Sequence, residues 1–159
     1  MELKYANNLV GTAGEYYVCA EICMLGYLAL LTPKNNPIFD VVATTQDGSR
    51  SVSIQVKTRS VKNKQGWKFG GDIAKENASA ELFVVLVNLK SDSSPEFYIY
   101  EYPVLSSRVN EVYLEYIKQR KRDGTLRKEV DFRWFDEKSF LESDRLRKNN
   151  WQPIIDALS

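Results

Sequence analysis

Apolar or aromatic side chains at Leu9, Val10, Ala13, Tyr16, Tyr17, Ala20, Cys23 and Met24 recur at three- and four-residue intervals. That period predicts an amphipathic helix over residues 8–25, capped by Asn7 or Asn8 and stopped by Gly26. The apolar run 27–31 predicts a short strand, and the segment 33–37, closed at both ends by proline, a turn. Residues 38–44 and 52–58 read as two strands joined by Gln46-Asp47-Gly48-Ser49, which predicts a hairpin. Within the second strand Gln55 and Lys57 point one way while Ile54 and Val56 point the other.

Residues 59–80 are polar and carry Gly66, Gly70 and Gly71, a pattern that predicts a loop and a short helix near 72–80. The almost unbroken apolar run 82–89 marks a strand covered on both faces. After the turn Asp92-Ser93-Ser94-Pro95 comes a further strand at 97–102, with Tyr98, Tyr100 and Tyr102 alternating along it. Helical spacing returns over 104–121, at Leu105, Val109, Val112, Tyr113, Tyr116 and Ile117. Residues 122–136 read as a loop or short strand, and two small helices near 137–142 and 150–158 close the chain. A meander followed by a crossover into a buried strand gives an α/β fold, a mixed sheet of about five strands flanked by helices. The 159 residues suffice for one domain, with a core over about 8–121 and a covering segment over about 122–159.

Composition narrows the chemistry. The chain has no histidine, which excludes Ser-His and Cys-His nucleophilic schemes. Cys19 and Cys23, four apart on one helix, make a poor zinc set without histidine and read as small buried core residues. No apolar run approaches the ~20 residues that span a bilayer, and no secretory signal pattern opens the chain, so a cytoplasmic protein with no membrane partner is expected. A net charge of +1 argues for no particular partner, but charge is unevenly placed. Lys57, Arg59, Lys62, Lys64 and Lys68 form one basic stretch, and Lys118, Arg120, Lys121, Arg122, Arg127 and Lys128 another. The second reads best as a solvated face. The first follows the Gln-x-Lys triplet and suits phosphate contacts, with Trp67 beside Lys68 as a substrate-contacting aromatic or, equally, a loop anchor.

Pairing of the two hairpin strands through Gly48 lets Asp40 lie beside Gln55 at one end. A carboxylate, an amide oxygen and the Lys57 ammonium then converge, as a metal ion and its attacking water require. Asp disfavours strands, and Asp40 interrupts an apolar run where a core residue would pack better. Glu15, read alone, is a charged residue on a helix, but Gly11 and Gly14 beside it suggest a face that approaches something closely.

A helix bearing Gly14-Glu15, then Asp40, then Gln55-Val56-Lys57 resembles the PD-(D/E)xK nuclease superfamily, in particular its Holliday-junction-resolvase-like and Mrr-like branches and small uncharacterised bacterial members. The Phe97-Tyr98-Ile99 strand, the segment Phe132-Arg133-Trp134-Phe135 and the Trp151 helix extend the likeness to the bacterial group. The resemblance implies a restriction-endonuclease-like fold and a Mg²⁺-dependent DNA endonuclease, with Mn²⁺ as substitute, acting as a homodimer. It implies that Asp40 and Gln55 hold the metal with the backbone carbonyl of Val56, that Glu15 reaches it directly or through water, and that Lys57 serves the attacking water. It gives Gln55 the place usually held by Glu or Asp, which favours one metal over two. The alternative is a nuclease fold without turnover that serves as a nucleic-acid- or protein-binding module. RNA as the substrate stays open.

Overall fold

The computed structural model describes residues 7–34, 36–74 and 81–159. Helix α1 (Asn7–Met24) leads into strands β1 (Leu28–Leu31), β2 (Val41–Thr44) and β3 (Ser51–Arg59). Strand β4 (Trp67–Gly70) and a 3-10 turn (Gly71–Ala74) precede β5 (Leu82–Asn88) and β6 (Glu96–Glu101). Helix α2 (Tyr102–Lys118), strand β7 (Phe132–Phe135) and the short helices α3 (Glu142–Arg145) and α4 (Gln152–Leu158) complete the described chain.

The main sheet has the order β1-β2-β3-β5-β6, and β4 pairs with β7 in a separate ribbon. β3 and β5 run parallel, while the other neighbours are antiparallel. This is the mixed five-stranded α/β architecture that the pattern predicted. The β2–β3 hairpin has Val41 opposite Ile54 and Thr44 opposite Ser51. Its register is held at the turn, where the Asp47 carboxylate accepts from the Thr45 hydroxyl at 2.7 Å and from the Ser49 N–H at 3.0 Å and hydroxyl at 2.8 Å. Those bonds, led by Thr45, bring the Asp47 pKa down to about 2.

β5 is buried along its whole length. One face of the sheet packs Ile54, Val85 and Ile99 against Val18 and Ile22 of α1 and Ile154 of α4. The other packs Leu86 and Tyr100 against Leu105 and Val109 of α2 and Trp67 and Phe135 of the ribbon. Each face therefore needs its own cover. The segment after α2 supplies part of both, with Phe135 and Phe140 on one face and Trp151, Ile154 and Leu158 on the other.

Four expectations change. The apolar stripe assigned to α1 does not face the core: Tyr16, Tyr17 and Met24 are exposed, and Gly14, Val18 and Ile22 are buried. The helix is apolar on several sides, so periodicity alone does not choose the inward one. Close approach chooses it, because a Cβ on Gly14 would run into the Thr58 side chain of β3. Cys19 is accordingly only partly buried and Cys23 is exposed, so the pair is not a buried core feature. Residues 67–70, read as loop, form β4 instead, because Trp67 and Phe69 face the core while Lys68 faces out. The helix expected near 72–80 is a 3-10 turn over Gly71–Ala74, and its remainder, 75–80, lies outside the described residues.

The Gly14–Thr58 contact sets how closely α1 rides on β3. Gly14→Ala is expected to destabilise the protein by about 1–3 kcal/mol through overpacking, measured by urea unfolding. Combining it with Thr58→Ala, which removes the nearest atom, should recover part of the loss. Unchanged stability in the single variant would mean that the helix is not held at this distance.

Candidate active site

Asp40 stands where β2 begins and its pairing with β3 opens. Its backbone N–H donates to the Ile54 carbonyl at 2.9 Å, and its carbonyl accepts from the Thr32 N–H, also at 2.9 Å. Beyond this point the ladder has no backbone partner to offer β3. The Asp40 carboxylate takes that place: its Oδ2 accepts from the Val56 N–H at 2.8 Å. A side chain thus continues the edge that the strand has left, which fixes the carboxylate between Gln55 and Lys57. An Asp that looked costly in a strand is satisfied by the edge it caps.

Gln55 and Lys57 flank Val56 on the face opposite Ile54. Both are half-buried. Among the described residues the Gln55 amide and the Glu15 carboxylate have no hydrogen-bond or ion-pair partner. The Lys57 ammonium sits 5.7 Å from the centre of the Phe69 ring and is likewise unpaired. Glu15 follows Gly14, so the helix–strand contact that buries Gly14 also brings Glu15 down toward the strand end. Burial first, and the Asp40 carboxylate second, push the Glu15 carboxyl above its ordinary value, while Lys34 opposes them. The structure thus puts the Asp40 carboxylate on Val56, between Gln55 and Lys57, and places Glu15 within electrostatic reach of Asp40.

The donor set suits a hard cation. Two carboxylates that repel one another, an amide oxygen without a partner and a strand-edge carbonyl are all oxygen ligands, the kind Mg²⁺ takes while it keeps several waters. Among the described residues no cluster of three His, Cys, Asp or Glu side chains is present, so a charge-rich or thiolate metal centre does not fit. Without a cation, Glu15 carries a charge the fold disfavours. For a carboxyl with a raised folded pKa, the protonated form is the stable one. Its stabilisation is complete below the ordinary value of 4.5 and is lost as pH rises through the raised one. Glu15→Gln is therefore expected to melt higher than the parent protein at pH 7 in chelator, and the two to converge toward pH 4. The gain is modest, since solvent screens a half-buried charge. Melting curves at both pH values check this, and a lower melting point for Glu15→Gln at pH 7 would contradict it.

The basic stretch after the triplet divides. Lys62, Lys64 and Lys68 are exposed. Arg59 is not a free phosphate contact: it donates to Asn88 at 2.8 Å and to Glu137 at 3.2 Å and lies over the Trp67 ring. Trp67, only 1% exposed, donates its indole N–H to the Val87 carbonyl at 3.0 Å and is a core anchor. Of the two readings its position allowed, anchoring is the one the packing supports. The aromatics that do reach the surface here are Phe132 and, half-buried, Trp134, which lies opposite Lys68 across the β4–β7 ribbon. Its signal was the alternation in Phe132-Arg133-Trp134-Phe135, too short to separate a ribbon from a loop. No helix among the described residues is long and apolar enough to cross a membrane.

No protein-family model matches the sequence, and no curated protein matches it. Among solved structures the chain is similar to a bacterial homing endonuclease, I-Ssp6803I, with a TM-score of 0.57 at 13% identity, over 96% of this chain and 95% of that one. It is also similar to a Holliday junction resolvase from the archaeon Archaeoglobus fulgidus, with a TM-score of 0.45 at 17% identity, over 82% of this chain and 86% of that one. With the homing endonuclease, at 13% identity, what is shared is the architecture. The chain has the restriction-endonuclease-like α/β fold found in PD-(D/E)xK nucleases, as its motifs had suggested.

Proposed function

We propose that this protein is a divalent-metal-dependent DNA endonuclease of the PD-(D/E)xK type. The observation that carries the reading is the Asp40 carboxylate seated on the Val56 N–H, between Gln55 and Lys57, where β2 and β3 part. Asp40 and Gln55 would hold Mg²⁺, or Mn²⁺ in its place, together with the Val56 carbonyl, which points to the same strand edge as the Val56 N–H. Glu15 would complete the site directly or through a water. When bound, the ion would acidify a water and neutralise the oxygens of the scissile phosphate.

The side chains divide the remaining work. Lys57 donates to the attacking water, holding its lone pair toward phosphorus, and meets negative charge as it builds on the phosphate. The Asp40 carboxylate cannot drift, because the Val56 N–H holds one of its oxygens. Lys62, Lys64 and Lys68 border the site and supply phosphate contacts away from the cut bond. A homodimer would place two such sites on the two strands of a duplex.

The supporting experiment is incubation of the purified protein with supercoiled, linear and branched DNA in Mg²⁺ and in Mn²⁺. Metal-dependent cleavage is the expected outcome. A second reading, a nuclease fold that binds without turnover, draws on the low negative charge of the site, where Gln55 stands in place of an acid. Absence of cleavage together with absence of metal-dependent stabilisation would select it.

A further inference from the structure

A cleft of about 250 Å³ opens beside the candidate active site, between the first turn of α1, the end of β3 and the β4–β7 ribbon. Lys57 lies on its wall, with Lys68 and Trp134 opposite. The ribbon sorts its side chains by face. Trp67, Phe69 and Phe135 turn into the core, and Lys68, Phe132 and Trp134 turn out. The Lys68 ammonium lies 4.7 Å from the centre of the Phe132 ring and 5.7 Å from that of Trp134. Phe132 is 39% exposed and Trp134 half-buried, so the core does not account for this outward aromatic pair. Among the described residues no acidic side chain lines the cleft. Among the described residues the first turn of the 18-residue helix α1, whose Asn7 and Val10 border it, carries none either, so the positive end of the helix adds to the charge of the cleft.

From this geometry we infer that the cleft receives a single unpaired nucleotide next to the scissile phosphate, with its base stacked on Trp134. Its phosphate lies between Lys57, Lys68 and the start of α1. The inference deepens the nuclease reading and rests on it for the neighbouring phosphate. The choice of an unpaired nucleotide follows from shape and chemistry. In a continuous duplex both faces of each base are covered by neighbouring bases, and an aromatic ring gains nothing from them. A base at a flap, branch, mismatch or single-stranded end offers its face, and a ring flanked by ammonium groups accepts it with little regard for sequence. The preferred substrate class is therefore DNA with an unpaired segment.

The test is binding in chelator, so that no cleavage occurs, of a labelled oligothymidylate against a blunt hairpin duplex of equal length. Trp151 is buried away from the cleft and Trp67 lines it but is only 1% exposed, so quenching that the oligonucleotide causes and Trp134→Phe loses is assigned to Trp134. Tighter binding of the single strand, with quenching, is expected. Trp134→Ala should weaken it about tenfold, and Trp134→Phe should keep the affinity and lose the quenching. If Trp134→Ala fails to fold, Lys68→Met, at an exposed position, carries the test with a smaller loss of affinity. Equal or tighter binding of the duplex, single-strand binding without quenching, or full affinity in folded Trp134→Ala would each overturn the inference. Mg²⁺-dependent cutting of plain duplex that ignores Trp134 would leave the nuclease standing and remove the nucleotide cleft. Trp134-dependent single-strand binding by a protein that cuts nothing would do the reverse.

Discussion

Asp40→Asn should abolish cleavage and divalent-cation stabilisation together while leaving the protein folded. The amide oxygen of Asn can still accept from the Val56 N–H, so the bond that closes the strand edge at 2.8 Å survives. What disappears is one of the two negative charges facing the cation. A metal at a hundred times its dissociation constant adds about 2.7 kcal/mol to the folded state, and this increment should be missing from Asp40→Asn in thermal melts with and without Mg²⁺. Cleavage should fall by at least about a hundredfold, the scale on which a positioned electrostatic contact in a reaction centre is felt. Lys57→Met makes the complementary case, because it leaves every proposed metal ligand in place. It should lose cleavage to a similar degree and keep the Mg²⁺-dependent rise in melting temperature. Cleavage that survives both substitutions would move the reaction centre away from the β2–β3 edge. Loss of metal stabilisation in Lys57→Met would mean that the lysine shapes the cation site and does not serve the water.

Asp144→Ala should be among the most destabilising single changes in the chain, at about 3–5 kcal/mol, because it strands a charge that has left water. Asp144 is 1% exposed, and it accepts from the Tyr100 hydroxyl at 3.0 Å, from Arg108 at 2.9 Å and from the Leu141 N–H at 2.9 Å. Arg108, itself only 12% exposed, also donates to the Ser139 carbonyl and to Glu111. This cluster ties helix α2, strand β6 and the covering segment to one point. Burial first, and then the Asp144 carboxylate, hold the Tyr100 hydroxyl far above its usual range, so it stays a donor at any working pH. Removing the carboxylate leaves the Arg108 guanidinium without its buried counter-charge, held only by Glu111, which is exposed, and the Ser139 carbonyl. Asp144→Ala combined with Arg108→Met should therefore lose much less than the sum of the two single losses, since the second change removes the stranded charge. Urea unfolding of the four proteins measures the coupling. Additive losses would show that each group is held by other partners.

The two predictions concern sites whose visibility in the chain differs. Asp40, Gln55 and Lys57 could be picked out because strand alternation is local. A carboxylate and an ammonium in an apolar stretch contradict the packing pattern around them, and such conflicts attract attention to function. Asp144 could not be found that way. It sits among polar residues and becomes buried only because residues 132–145 fold back over Tyr100 and α2. Trp67 and Trp134 show the same limit. Each belongs to a four-residue strand, and their pairing across the ribbon joins segments far apart in sequence. Arg59 read as one more cation in a basic stretch until Asn88 and Glu137 were seen to hold it.

Periodicity and turn chemistry were enough for the hairpin, the buried β5, helix α2 and the mixed sheet, since each depends on residues within a few positions of one another. The set Glu15, Asp40, Gln55 and Lys57 came forward as a proposed site through the family resemblance and not through periodicity alone. Packing had to supply the rest. Helix α1 is apolar on more than one side, and it was the missing Cβ of Gly14 against Thr58 that selected its inward face and turned Glu15 toward Asp40. The opening of β2 from β3 at Asp40, and the cleft that the ribbon forms beside Lys57, are likewise long-range outcomes. A local pattern states what each side chain prefers. Which of several acceptable neighbours it meets is decided when distant segments compete to cover the same two faces of the sheet.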